Sequence, residues 1–336
     1  MGKSSKDKRD IYYRKAKEEG WRARSAFKLL QIDETFDIFS GVKHAVDLCA
    51  APGSWSQVLS RRLFLPALER GDPSPPVLVA VDLQPMAPIE GVIQIQGDIT
   101  SPATANQVIS YFSGHQADLV VCDGAPDVTG LHDLDEYVQS QLLLAALSIV
   151  TSVLMPGGSF VAKIFRGKDI KLLYSQMKIF FVDVFCAKPK SSRNSSVESF
   201  IVCRGFRLPS PAFQTSMLQE LMGGVQTQYF EEVELKEGGE AEADIDAEDN
   251  GERSEESHQG SLGSRRGEQV AACYKRDEHV RQLIPFLACG DLSGWDSDRN
   301  YDLDPATYVP LEPVQPPTAP AYKAALEFKA KGLASI

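Results

Sequence analysis

The sequence predicts a doubly wound α/β domain, and three observations carry that prediction. Short, near-continuous apolar runs alternate with helical patterns across residues 44–204. Strands covered on both faces of a parallel sheet read this way, because neither face meets water. Helix start and stop signals punctuate the runs. Finally, acidic residues stand at the carboxyl ends of four successive strand candidates, where open α/β sheets bind their ligands.

In chain order, Arg9–Glu19 and Ser25–Phe36 read as two short helices joined at Gly20. The strand candidates are His44–Leu48, Val77–Val81, Val92–Ile95, Leu119–Cys122, Ser159–Phe165, Phe181–Ala187 and Phe200–Cys203. Ser54–Leu63 follows the first strand as a helix, and 64–76, with four prolines, reads as a loop. Ser101–Phe112 opens with Ser101-Pro102, a helix start. Asp135–Leu154 stops before Pro156-Gly157-Gly158, a breaker, and Lys168–Phe180 follows the fifth strand. The last two strands lack room for a crossover helix, so they are expected to pair antiparallel across KPKSSRNSS. No internal repeat is visible.

The 336 residues carry 35 Lys+Arg against 46 Asp+Glu, a net charge of −11. That figure is a composite. Residues 1–30 hold ten basic and four acidic side chains, whereas 231–268 hold four basic and fourteen acidic. The acidic block is rich in Glu, Gly and Ser and too poor in apolar residues to offset the entropy of ordering, so disorder is expected there. Three parts follow: 1–207, a catalytic domain with basic N-terminal helices; 208–268, a linker with the acidic insert; and 269–336, a C-terminal extension ending in a Pro-rich, polyproline-like tail. Six scattered cysteines without a CxxC pair suit reduced thiols in a cytosolic or nuclear protein. The charged start is not a secretory signal, and no apolar run is long enough to span a membrane. His44, His115, His132, His258 and His279 form no ligand spacing, so no metal is implied.

The segment 45–57, AVDLCAAPGSWSQ, reads as strand, small-residue turn, helix. Small residues there let backbone N–H groups approach a ligand at a helix N-terminus. It is not GxGxxG, which disfavours a dinucleotide-binding dehydrogenase. Asp47 ends the first strand and could orient the loop or the ligand. Asp82 ends the second, where a carboxylate accepts a ribose diol. Asp98 ends the third, where it can accept an exocyclic adenine amine, and Asp123 ends the fourth. Four carboxylates in register point to a nucleoside cofactor. Lys163, in FVAKIF, is a lone lysine on the buried face of a strand. Burial and neighbouring positive charge would depress its pKa, which suits a group that takes a proton from a hydroxyl.

DLCAAPGSWSQ, VDLQPM, GDIT, CDGAPDVTG and KPKSSRNSSVESF resemble the RrmJ/FtsJ family of S-adenosylmethionine-dependent RNA 2′-O-ribose methyltransferases, over about residues 8–205. The later segments CGDLSGWDSDRNYDL and PVQPPTAPAYKAALE are similar to the eukaryotic cytoplasmic branch, which modifies the tRNA anticodon loop at positions 32 and 34. The chain departs from the family pattern at Cys49 and Ser54, both often Gly. The resemblance implies a Rossmann-like, seven-stranded, mostly parallel sheet with one antiparallel strand and helices on both faces. Carried onto this chain, it places Gly53 and Trp55 on the methionine side of S-adenosylmethionine, Asp82 at its ribose, Asp98 at its adenine and Asp123 at its amino group. It also implies a catalytic tetrad of Lys28, Asp123, Lys163 and Glu198, with Lys163 holding or accepting the 2′-hydroxyl proton. Trp55 could instead be a helix residue packing on the sheet.

Tyr12, Tyr13 and Trp21 are interleaved with the N-terminal cations, including Arg22 and Arg24, a composition suited to phosphates and unpaired bases or to an amphipathic helix with its aromatics in the core. Lys188, Lys190 and Arg193 add a second basic patch near Glu198. The resembled branch implies a cytoplasmic enzyme acting on tRNA with a WD-repeat partner and a large helical-repeat partner that choose the nucleotide. Residues 280–310, with Leu283, Ile284, Phe286, Leu287, Trp295 and Tyr301, could dock such a partner or pack back on the sheet. Methylation of rRNA or an mRNA cap, and a silent RNA-binding scaffold, remain competing readings.

Overall fold

A computed structural model describes residues 10–126, 131–167, 170–209, 284–304 and 306–315. The chain divides into two compact units, and every described residue lies in the first, Met1–Phe213 with Val280–Ile336. The acidic block 231–268, His258, His279, Cys273 and most of the Pro-rich tail lie outside the described residues.

Two helices precede the sheet, α1 (Ile11–Glu18) and α2 (Ala26–Phe36). Asp10 caps α1 by accepting the Tyr13 N–H at 3.1 Å, satisfying one of the donors a helix leaves open at its start. Then come β1 (His44–Leu48), α3 (Ser54–Leu59), a π-helical turn (Ser60–Phe64), α4 (Leu65–Glu69), β2 (Val77–Asp82), β3 (Val92–Gln96) and α5 (Pro102–Tyr111). The second half contains β4 (Ala117–Cys122), α6 (His132–Val153), β5 (Leu154–Phe165), α7 (Ile170–Phe180), β6 (Phe181–Pro189), β7 (Glu198–Phe206) and β8 (Phe286–Cys289).

The sheet order is β3-β2-β1-β4-β5-β7-β6-β8. β7 runs antiparallel to both β5 and β6, and the other strand pairs are parallel. The order reverses between β1 and β4, so the crevice above those two strand ends is the topological switch point. Trp55, Phe160, Phe181, Phe200, Leu29 and Leu119 are fully buried on the two faces of the sheet.

Three sequence expectations change. The sheet has eight strands rather than seven, because Phe286–Cys289 pairs with the free edge of β6, in register Cys186↔Phe286 to Pro189↔Cys289. The 280–310 segment therefore packs back on the sheet along at least this strand. The proline-containing stretch read as a loop from 64 continues helical to Glu69. Pro66 sits in the first turn of α4, where its missing N–H costs little. Pro156-Gly157-Gly158 stops α6 as expected, but β5 already begins at Leu154 and runs through it, with a register shift against β4 between Ala117 and Leu119.

The C-terminal strand is fastened at its end. Cys289 is fully buried, and Gly290 has φ 88°, with Gln31 so close that an added Cβ would stand 2.7 Å from its Cγ. Gly290→Ala should therefore lower global stability by about 1–3 kcal/mol, from left-handed strain and overpacking together. Denaturant unfolding measures this, and amide exchange should rise first at 286–289.

Candidate active site

The chain leaves β1 through a tight loop that only small residues can follow. Cys49 has φ 55°, a conformation glycine adopts freely and a cysteine adopts at some cost, and nothing in the structure explains why this chain carries Cys there. Ala50 N–H donates to Val81 O at 3.1 Å, and Ala51 N–H to Asp82 Oδ2 at 2.8 Å. Gly53 has φ 97°, and a Cβ there would stand 2.7 Å from Ile89 Cδ1 and 2.8 Å from an Arg22 guanidinium nitrogen. The loop then delivers the first turn of α3, whose backbone N–H groups lack intrahelical acceptors.

The strand-end carboxylates do different things. Asp82 shapes the loop: its two oxygens each accept one backbone N–H, from Ala51 and Gln84, both at 2.8 Å. Asp98 is exposed, and its Oδ1 accepts the Thr100 N–H and hydroxyl, each at 2.8 Å, which leaves Oδ2 for a ligand. Asp47 is buried, with Oδ2 2.6 Å from Ser56 Oγ and Oδ1 without a hydrogen-bond partner. Burial pushes its pKa up to about 8; the Ser56 bond opposes this, and the charges of Asp123 and Asp82 add to it. An orphaned buried oxygen, a glycine cradle and an open carboxylate beside a helix N-terminus fit a polar nucleoside cofactor.

Trp55 resolves toward its packing alternative. Its side chain is fully buried, its ring centroid lies 5.6 Å from that of Phe200, and its indole N–H donates to Ser25 O at 2.9 Å. Only its backbone, in the first turn of α3, remains to meet a ligand. Ser54, the other departure from the family pattern, has its hydroxyl oxygen 2.5 Å from that of Ser25. Both contacts tie α3 to the start of α2, the helix that carries Lys28.

Lys28, Asp123, Lys163 and Glu198 come from four separate elements and meet at one place. Lys28 Nζ is 2.7 Å from Glu198 Oε1 and 2.8 Å from Oε2. Lys163 Nζ is 2.8 Å from Asp123 Oδ1, 2.8 Å from the Asp123 carbonyl and 3.8 Å from Glu198 Oε2. The result is an alternating row of charges, Lys28–Glu198–Lys163–Asp123, largely withdrawn from water. Burial would raise the Glu198 pKa, but Lys28 and Lys163 outweigh it, helped by hydrogen bonds from Lys28 and Ser192, and hold it at about 2. Lys163 corrects the sequence reading. Burial pulls its pKa down, as expected, but Asp123 and then Glu198 push harder, so the net shift is upward and Lys163 is an ammonium.

Ser192 and Gln139 escaped the sequence reading, and Lys188, read as part of a surface basic patch, is buried and braces the site instead. Ser192 donates to Glu198 Oε1. Lys188 Nζ donates to the carbonyls of Ser196 at 2.8 Å and Glu198 at 2.5 Å, fixing the turn before β7. Gln139, buried on α6, donates from Nε2 to Gly124 O at 3.1 Å and Lys163 O at 2.9 Å, bracing the ends of β4 and β5. A lone glutamine on the apolar face of α6 was the available signal.

The N-terminal basic segment also reads differently. Tyr12 and Trp21 are buried: Tyr12 packs on Phe27 and donates to Trp295 O at 2.7 Å, and Trp21 lies under Arg61. Arg24 bonds Asp10 and Ser191 O, and Arg22 bonds Pro52 O and Pro88 O. Charge reversal at Arg22 or Arg24 would therefore disturb the site itself. Tyr13, carrying Lys17 over its ring, and the exposed Arg193 remain at the surface.

The sequence model of one family, described as FtsJ-like methyltransferase, matches residues 21–206. The chain belongs to that family. S-adenosylmethionine is accordingly its methyl donor, and the cleft above β1 and β4 has the chemistry to hold it. Among similar proteins, the mouse tRNA (cytidine(32)/guanosine(34)-2′-O)-methyltransferase is 52% identical over 335 residues, covering 99% of this chain and 88% of that protein. The Schizosaccharomyces pombe enzyme of the same name is 49% identical, covering 98% of each. An AdoMet-dependent rRNA methyltransferase of Neurospora crassa is 42% identical over 207 residues, 62% of this chain and 24% of that protein.

Two stability tests follow for this methyltransferase. Glu198 has a folded pKa, about 2, below its ordinary 4.5, so its stabilising contribution is complete above 4.5 and is lost as pH falls through about 2. Glu198→Gln should cost roughly 3 kcal/mol at neutral pH, and the gap to wild type should close in acid unfolding below pH 4.5. Asp47 has the opposite sign: its folded pKa, about 8, exceeds the ordinary 3.8, so the folded state holds a proton and stability falls as pH rises between them. Asp47→Asn should stabilise the fold, by more at pH 7 than at pH 4, as measured by denaturant midpoints.

Proposed function

We propose that this chain methylates the ribose 2′-hydroxyl of nucleotides 32 and 34 in the tRNA anticodon loop. The observation that carries the reading is the charge row Lys28–Glu198–Lys163–Asp123, assembled beside the cofactor cleft. Relatives named for methylation at these two positions match nearly the whole chain, which supports the choice of substrate. In the same reading Gly53, the Trp55 backbone, Asp82, Asp98 and Asp123 hold the cofactor, and Lys28, Asp123, Lys163 and Glu198 are catalytic.

A ribose hydroxyl is a poor nucleophile at neutral pH, so the site must position it in line and relieve it of its proton. Bound S-adenosylmethionine supplies an electrophilic methyl and one positive charge. A positive charge brought by the bound donor would oppose the two carboxylates that keep Lys163 protonated and would favour its neutral amine, which would accept the 2′-hydroxyl proton. Asp123 fixes the Lys163 head from two oxygens, one of its carboxylate and one of its backbone. Glu198 and Lys28 hold the row in register and set the charge the ribose meets. The rim offers Arg193 and Tyr13 to the RNA.

WD-repeat and large helical-repeat partners would select between positions 34 and 32. Phe286, Leu292 and Trp295 keep exposed apolar surface on the C-terminal segment even though its strand joins the sheet, and this supports docking there. Buried reduced thiols at Cys122, Cys186, Cys203 and Cys289 suit the cytoplasm. The N. crassa rRNA methyltransferase, alike over the catalytic region, keeps rRNA as the second reading.

Lys163→Ala should reduce methyl transfer to tRNA by about 10²–10⁴-fold while leaving S-adenosylmethionine affinity within about threefold. Labelled-methyl transfer with mass mapping of tRNA and rRNA nucleosides measures both activity and site. Transfer at wild-type rate, or methyl groups found only in rRNA, would reject the assignment.

A further inference from the structure

We propose that Arg22 is the latch of the cofactor cleft, a positioning residue that clamps together the two loops flanking the methyl donor. The inference rests on the reading that the donor lies in the cleft above β1 and β4, against the loops that follow β1 and β2.

One loop is 49–53, after β1. The other is 83–91, after β2, which brings Met86 and Ile89 against Gly53. Arg22 belongs to neither, but its guanidinium joins them: one nitrogen donates to Pro52 O at 3.0 Å and the other to Pro88 O at 2.7 Å. Both acceptors are proline carbonyls, and a planar guanidinium fork can serve two at once. The guanidinium stands so close that an added Cβ on Gly53 would come within 2.8 Å of it, so it forms part of the cradle wall. Burial lowers its pKa, as expected for a cation drawn partly out of water onto carbonyl oxygens.

The base of the latch is fixed. The Arg22 N–H donates to Gln57 Oε1 at 2.8 Å, and Gln57 Nε2 donates to Gly20 O at 3.1 Å. Arg61 donates to the carbonyls of Glu19 at 2.9 Å and Gly20 at 3.1 Å while covering the Trp21 ring at 4.2 Å. The segment between α1 and α2 is thereby sewn to α3, and Arg22 reaches across from it. On the far loop, Ser60 holds the Glu90 carbonyl at 2.6 Å. Arg22 holds the loop two residues earlier, directly over Gly53. Opening the cleft wide enough to release the donor must part the guanidinium from at least one of its two carbonyls. The residues that carry the latch also lead into α2 and Lys28, so retention of the donor is mechanically joined to the helix that positions the ribose.

The test uses the full-length protein with S-adenosylhomocysteine as the probe and compares Arg22→Ala, Arg22→Lys and Asp98→Ala. Each lost bond to a charged donor is worth about tenfold. Arg22→Ala should raise the dissociation rate roughly tenfold or more with little change in association, and raise KM for the methyl donor by a larger factor than it lowers kcat. Arg22→Lys, which can reach one carbonyl at a time, should fall between and carries the test if the alanine variant unfolds. Wild-type dissociation in both Arg22 variants, with Asp98→Ala weakened, overturns the latch and leaves the cofactor site standing. Wild-type binding in all three overturns the site reading as well. A changed KM and salt dependence for tRNA alone, with probe binding intact, makes Arg22 a phosphate contact and also rejects the latch.

Discussion

Four charges in a row, drawn mostly out of water, impose the strictest condition on this molecule. Lys28, Glu198, Lys163 and Asp123 alternate in sign, so each desolvated charge is compensated by a neighbour, and loss of Glu198 would strand Lys28 as loss of Lys163 would strand Asp123. Their neighbouring polar atoms stand 2.7–3.8 Å apart, yet they come from α2, β7, β5 and the end of β4. The surrounding structure is organised to hold those four attachment points at fixed distances.

The means are mostly ordinary hydrogen bonds to backbone. Gln139 joins the carbonyls at the ends of β4 and β5, so the Asp123 and Lys163 backbones cannot drift apart. Lys188 and Ser192 secure the turn that aims Glu198. The Ser25 carbonyl and hydroxyl, meeting Trp55 and Ser54, fix α2 against α3, so Lys28 is located relative to the cofactor loop itself. The charge row and the strand-end cleft thus share one frame. Asp47 marks what that frame costs: a carboxyl buried with an orphaned oxygen, kept neutral by its surroundings, in a place where a purely structural design would put an apolar residue.

Much of this was legible in the sequence because the signals were local. Near-continuous apolar runs located the strands, and the carboxylates at their ends located the crevice, since strand direction alone decides which end binds. Lys163 stood out as a charge on a buried face. What was not legible depended on partners far apart in the chain. The sign of the Lys163 shift turns on two carboxylates, one of them 35 residues away, and no local pattern reports which influence wins. Trp55 and the cations at Arg22 and Arg24 had the right composition for ligand contact, but tertiary neighbours claimed their polar atoms first. Phe286–Cys289 was too short and too distant to be read as an edge strand until β6 was seen to have a free side.

That last strand has a consequence for the chain as it is made. On the ribosome, β6 is complete about a hundred residues before its partner emerges, and the turn carrying Lys190 and Asn194 waits equally long for Cys289 and Asp298, which bond to their backbone N–H groups. Through that interval the nascent protein presents an unpaired sheet edge, the kind of surface that recruits strands from other chains. Tyr12 waits longer still, because the Trp295 carbonyl that accepts its hydroxyl lies 283 residues further along the chain. A chain stopped short of residue 286 would thus carry Lys28, Asp123, Lys163 and Glu198 but leave the β6 edge without the strand that covers it.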